Sequence, residues 1–123
     1  MKILTIIVRI LLGLLFAVFG SNAFLHFLPM PPMKGPSGEF IGAMAATGYL
    51  QAVAALQVIG GLILVVGKWV PLGLVILGPI IVNILLFHIF LEPTGLGMAI
   101  GIFVAATFLV WSYRAAFAEL FRA

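Results

Sequence analysis

Among the polar side chains within or beside the long apolar runs, Asn22, His26, Gln51, Asn83, His88 and Glu92 gather toward one end of their segments, with Gln57 nearer the bilayer midplane. Their types limit the chemistry open to them. Carboxamides both donate and accept hydrogen bonds, and imidazoles also exchange a proton near neutral pH. Asn22 and His26 are four residues apart, as are His88 and Glu92, so each pair shares a face if its segment is helical. An imidazole beside a carboxylate holds its proton more tightly, which would make His88 and Glu92 a proton relay. Asn22, His26, Gln51, Asn83 and His88 together could bind a ligand. A quinone suits such a group, because it needs an apolar slot and one or two donors at its carbonyls. Two histidines and one glutamate reach the number of ligands a metal needs. Nothing in their spacing enforces such a site, and no metal is expected. The competing view is structural: both histidines lie at a membrane interface and bond water, lipid headgroups or a neighbouring carbonyl.

These residues are carried by membrane-spanning sequence. The chain has 123 residues, of which 65% are hydrophobic and 7% charged. Soluble domains run near 45–50% apolar and about 25% charged. A domain of this length has too little interior to hide so much apolar surface, so lipid must cover the rest. The stretch Trp69–Leu91 is long enough to cross a bilayer, which takes roughly 20 apolar residues. Asn83 within it is too deep and too short to reach the interface. An amide unpaired in hydrocarbon costs several kcal/mol, so Asn83 is expected to face protein.

Four apolar segments are expected to be helices, over about 3–27, 40–66, 69–91 and 96–113. Continuous apolar runs argue against strands, which need alternation in a membrane barrel. The fold class is therefore all-α, a single transmembrane four-helix bundle over residues 1–123. The segment Met30–Glu39 (MPPMKGPSGE) is expected to be a loop because of its prolines and glycines. Gly67-Lys68 makes a tight hairpin, and Glu92-Pro93-Thr94-Gly95 a turn. Residues 1–23 also resemble a cleavable signal peptide. The apolar run continues through Phe24, Leu25, Phe27 and Leu28, which favours a retained helix.

Lys2, Arg9, Lys68, Arg114 and Arg122 fall on one side of this arrangement and only Lys34 on the other. The positive-inside rule then puts both termini in the cytoplasm, in an inner membrane crossed several times. Trp69, Trp111 and Tyr113 fall on the same interface as the cations. A reporter fused after Ala123 is expected to be active in the cytoplasm; activity confined to the periplasm would reverse the orientation. The net charge of +3 is dispersed along the membrane edges and does not indicate nucleic-acid binding. The chain has no cysteine, which excludes disulfides, thiol catalysis and thiolate metal sites.

Arg9 stands about two turns inside the first helix. It either snorkels to headgroups or meets an anionic or quinone-like ligand. Gly13, Ala17 and Ser21 repeat every four residues, as do Gly38 and Gly42, and Gly97 and Gly101. Such ridges let membrane helices approach closely. Pro79 is expected to kink the third helix and free a carbonyl near Asn83.

The segments RILLGLLFAVFGSNAF (Arg9–Phe24), ATGYL (Ala46–Leu50), GGLILVVGKWVPL (Gly60–Leu72) and VNILLFHIFLEPTG (Val82–Gly95) together resemble the DoxX-like family of small four-helix bacterial membrane proteins. The resemblance implies an inner-membrane protein with both termini inside. Some relatives look like subunits of a thiosulfate:quinone oxidoreductase, others like membrane anchors in oxidant-defence assemblies. A quinone-linked or redox-associated subunit is the first expectation, partnered by lipid and by a redox protein or a second copy. A non-enzymatic anchor or assembly partner and a small-molecule carrier are the alternatives.

Overall fold

A computed structural model describes residues 2–25 and 34–121, which form six α-helices and two short 3-10 turns. α1 spans Lys2–Leu25, α2 Gly35–Thr47, α3 Tyr49–Val66, α4 Val70–Phe90, α5 Leu96–Ser112 and α6 Arg114–Ala118. The 3-10 turns are Pro93–Gly95 and Glu119–Phe121. No strand occurs among the described residues. In lipid a helix meets every backbone polar demand within its own segment. Four candidate spans are long and apolar enough to cross a membrane: α1, α3, α4, and Pro93–Ser112, which is the turn plus α5. The protein is a multi-pass membrane helical bundle.

α1 packs mainly on α3, α3 on α4, α4 on α5, and α5 back on α1. This closes a ring of antiparallel neighbours. The start of α1 and the end of α5 meet at one end of the ring, the end nearer the termini, where the Thr5 and Ser112 hydroxyls are 3.3 Å apart. The core is a narrow apolar column that includes Leu12, Phe16, Leu64, Leu77, Ile81, Ile102 and Leu109. Outside it, Leu11, Ile59, Leu62, Val75, Leu86 and Val104 are exposed. In water such a surface would aggregate; around a bundle it is the lipid-facing belt.

Glycine sets the spacing of α1 and α3. A Cβ at Gly13 would lie 2.6 Å from the Gly61 carbonyl oxygen, and one at Gly20 2.9 Å from that of Ala54. The ridge on α1 is therefore Gly13, Ala17 and Gly20, whereas Ser21 donates to the Ala17 carbonyl at 2.7 Å. The stretch Gly97 and Gly101 behaves differently from expectation. Both are exposed, and a Cβ at either meets nothing within 4 Å. Within this chain they do not pack α5 against a neighbour. Gly42 and Gly78 are likewise open.

The expected second span, 40–66, is two helices. Gly48 breaks it with φ 82°, a left-handed conformation that glycine adopts without steric cost. The part before the break begins at Gly35, inside the stretch expected to be a loop. Pro36 allows this because the first helical turn needs no backbone donor. α4 runs unbroken through Pro79. The carbonyl that Pro79 leaves without its helical donor is that of Val75, one turn back and away from Asn83. Trp69, Trp111, Tyr113 and Lys68 all belong to the end of the ring nearer the termini.

Candidate functional site

α2, α3 and α4 enclose a cleft of about 670 Å³ at the end of the bundle away from the termini. Helical periodicity selects its walls. Leu50, Val53 and Gln57 of α3 recur at three and four residues, as do Ile80, Asn83, Ile84, Phe87, His88 and Leu91 along α4. α2 supplies Phe40, Ile41 and Met44. Phe40 leans on Phe87 with ring centroids 5.7 Å apart. The lining is mainly apolar and aromatic, with Tyr49, Gln57, Asn83 and His88 as its polar members.

Four of the five candidate ligand residues are described, and those four do not all line the cleft. Asn83 and His88 line the cleft together. They are five residues apart, about 140° around a helix at 100° per residue. They meet in one cleft because its α4 wall is broad. Asn83 is exposed in the chain and borders the cleft mouth rather than the helix core. Asn22 is 8% exposed on α1 and does not line the cleft. Gln51 does not line it either; its Oε1 is buried with no hydrogen-bond partner. His26 lies outside the described residues.

Gln57 is the cleft residue that sequence reasoning passed over. Its position nearer the bilayer midplane separated it from the other polar groups. The available signal was angular. Gln57 is seven residues from Leu50 and four from Val53, spacings that put the three on one side of α3, whereas Gln51 is six residues from Gln57 and turned about 120° away from it. Gln57 therefore lines the cleft with Leu50 and Val53.

The closing turn after α4 is organised by Glu92. Ser37 of α2 donates to one carboxylate oxygen at 2.7 Å, and Thr94 donates to the other at 2.8 Å. Ser37 is itself buried. The Ser37 bond chiefly, and the Thr94 bond next, hold the Glu92 carboxyl below its ordinary pKa; the charge of His88 adds a smaller lowering, and partial desolvation opposes all three. His88 contacts the backbone instead of this carboxylate. Its Nδ1 lies 2.9 Å from the Glu92 carbonyl oxygen. A carbonyl only accepts, so Nδ1 carries a proton toward it. The imidazole packs over Gly95, where a Cβ would run into the ring. The direct imidazole–carboxylate contact expected from the spacing is therefore replaced by an imidazole–carbonyl bond. Its cause is the chain reversal at Leu91–Glu92, which turns the carboxylate toward α2.

Among the described residues no three His, Cys, Asp or Glu side chains come together to hold a metal. No family model, no curated protein and no solved structure matches the chain. The class supported by fold and site is thus a small multi-pass helical membrane protein with an apolar cleft and a sparse polar lining.

Proposed function

We propose that this protein is a quinone-linked or redox-associated subunit of a bacterial inner membrane, of the DoxX-like type. Its cleft would take a quinone headgroup. The observation that carries this reading is the cleft itself: about 670 Å³, within the 300–1,000 Å³ typical of small-molecule sites, apolar, with few polar groups. Phe40, Phe87 and Tyr49 offer aromatic faces to a ring. The Gln57 and Asn83 amides offer donors for quinone carbonyls. His88 keeps Nδ1 on the Glu92 carbonyl and leaves Nε2 to exchange a proton or a hydrogen bond. The redox change belongs to the quinone; the chain binds, orients and shields it.

Binding of a short-chain benzoquinone to the purified protein in lipid nanodiscs tests this. Gln57→Leu and Asn83→Leu are each expected to weaken binding about fivefold, the equivalent of one hydrogen bond at ~1 kcal/mol. Asn83→Leu should not lower the melting temperature, because Asn83 is exposed and contributes nothing to the packed core. Absence of quinone binding by the wild type, or wild-type affinity in both variants, would sink the proposal.

The open face of α5 supports a second reading, an anchor or assembly partner. Gly97 and Gly101 present a small-residue ridge with free space above it, the geometry by which membrane helices associate. Crosslinking through Gly101→Cys, in a chain that has no other cysteine, would report a partner helix there.

A further inference from the structure

At the opposite end of the bundle from the cleft, α3 turns into α4 through Gly67, Lys68 and Trp69. Gly67 has φ 84° and caps α3, its amide donating to the Ile63 carbonyl. The Arg9 guanidinium lies directly over it: a Cβ at Gly67 would sit 2.8 Å from one terminal nitrogen of Arg9 and 2.9 Å from the other. Arg9 Nε is buried and has no hydrogen-bond partner. Arg9 takes part in no hydrogen bond or ion pair among the described residues.

This arrangement is electrostatically incomplete. A guanidinium has five donors in a planar fork and stays charged at every physiological pH. Removing it from water without an anion is expensive. The carboxyl end of α3 offers it about half a negative charge, but no acceptor there bonds it. The chain has three acidic side chains, Glu39, Glu92 and Glu119. Glu92 is engaged with Ser37 and Thr94 at the far end of the bundle, and Glu39 stands on α2 near it. Glu119 interacts with another group.

We infer that Arg9 binds the phosphate of an anionic phospholipid, seated on the Gly67–Trp69 turn. The fork of a guanidinium matches two phosphate oxygens. The glycine provides the room, since any side chain at Gly67 would fill the space Arg9 occupies. Lys68, exposed on the same turn, supplies a second positive charge. The surroundings favour a lipid over free phosphate. Val66, Trp69 and Leu72 are 68%, 74% and 51% exposed beside the site. They offer apolar surface to acyl chains, with an indole at the height where headgroups begin. Arg114 is a natural contrast at the same end. It stacks on Trp111 at 4.6 Å and donates to the Trp111 carbonyl at 3.0 Å, so its needs are met within the chain.

The test is lipid retention by the full chain, read by native mass spectrometry, together with melting in nanodiscs of phosphatidylglycerol or phosphatidylcholine. The wild type is expected to retain phosphatidylglycerol at least about fivefold over phosphatidylcholine, the equivalent of ~1 kcal/mol per basic residue. Arg9→Gln should abolish the preference. Arg9→Lys, which keeps the charge and loses the fork, should fall between. Arg114→Gln removes one charge from the same end and should leave the preference intact. Equal retention of the two lipids by the wild type would overturn the inference. So would an equal loss in Arg114→Gln, which would show bulk charge attraction alone. A melting shift reproduced by inorganic phosphate in phosphatidylcholine discs would overturn the lipid assignment. If Arg9→Gln does not fold, the wild-type preference and Arg9→Lys still decide the matter.

Discussion

Replacing Gly13 or Gly61 with leucine is expected to prevent the bundle from assembling. The two glycines face each other across the α1–α3 contact. A Cβ at Gly13 would lie 2.6 Å from the Gly61 carbonyl oxygen and 2.9 Å from Val65 Cγ2. A Cβ at Gly61 would lie 2.6 Å from the Gly13 carbonyl oxygen and 2.7 Å from the Ala17 amide nitrogen. Optimal non-bonded separations are about 3.5–4.0 Å. The nearest obstructing atom in each case is backbone, so no rotamer change relieves the clash and the helices must separate. Even alanine at these positions is expected to cost roughly 1–3 kcal/mol through overpacking, against a helix-propensity gain of about 1 kcal/mol for replacing glycine. Leucine adds far more volume. The internal comparison is Gly101→Leu, whose Cβ enters open space and which should melt like the wild type. Circular dichroism melts in one detergent check both. A Gly61→Leu variant as stable as Gly101→Leu would disprove close backbone packing of α1 on α3.

Release of α2 is expected when Glu92 loses its charge. Ser37 holds α2 to the end of α4 through the Glu92 carboxylate, with Thr94 on the second oxygen. A protonated carboxyl is a weaker acceptor than a carboxylate, because charge-assisted bonds are about twice as strong. The hydrogen bonds lower the folded-state pKa of Glu92. The sign follows from that. The tether contributes fully at pH above the ordinary carboxylate value of about 4.3 and is lost as the pH falls through the lowered folded value. Glu92→Gln should reproduce the acid state at neutral pH. Amide hydrogen exchange of α2 is the direct readout. Exchange in Gly35–Thr47 should speed up several-fold on acidification, after correction for intrinsic rates, and in Glu92→Gln at neutral pH. α1 and α3 should be unaffected. Because α2 forms one wall of the cleft, the same change should weaken any ligand held there. Unchanged α2 exchange in Glu92→Gln would show that Phe40 against Phe87 is enough to hold the helix.

Hydropathy and charge made the membrane class and the four spans legible in the chain, because lipid permits few backbone solutions. Continuous apolar runs in lipid must be helices, and the spans came within a few residues of Lys2–Leu25, Val70–Phe90 and Leu96–Ser112. The break at Gly48 was less legible, since a single glycine inside an apolar run is tolerated in many helices. Its left-handed φ is a property of how α2 folds back toward α4. The start of α2 at Gly35 was hidden for a related reason: prolines and glycines mark loops and first helical turns alike.

Which residues share a cleft was a tertiary decision. Depth along the membrane grouped Asn22, His26, Gln51, Asn83 and His88, but depth does not specify the direction in which a side chain faces. Rotation about each helix axis does, and neighbouring helices set that rotation. The close contact of Gly13, Ala17 and Gly20 with Ala54 and Gly61 commits one face of α3 to α1. Gln57 borders that contact, with its Cβ beside Gly20, and still lines the cleft with Leu50 and Val53, while Gln51 stays off the cleft with its Oε1 buried and unpaired. The pairing of His88 with the Glu92 carbonyl, and of the Glu92 carboxylate with Ser37, came from the reversal after α4. Ser37 and Glu92 are 55 residues apart in the chain, and no local spacing rule links residues so distant. Sequence determined that the chain lies in a membrane as helices, because the solvent imposes that on every residue. Only packing decided which polar groups meet, because contact depends on helix rotation and on backbones close enough to exclude a side chain.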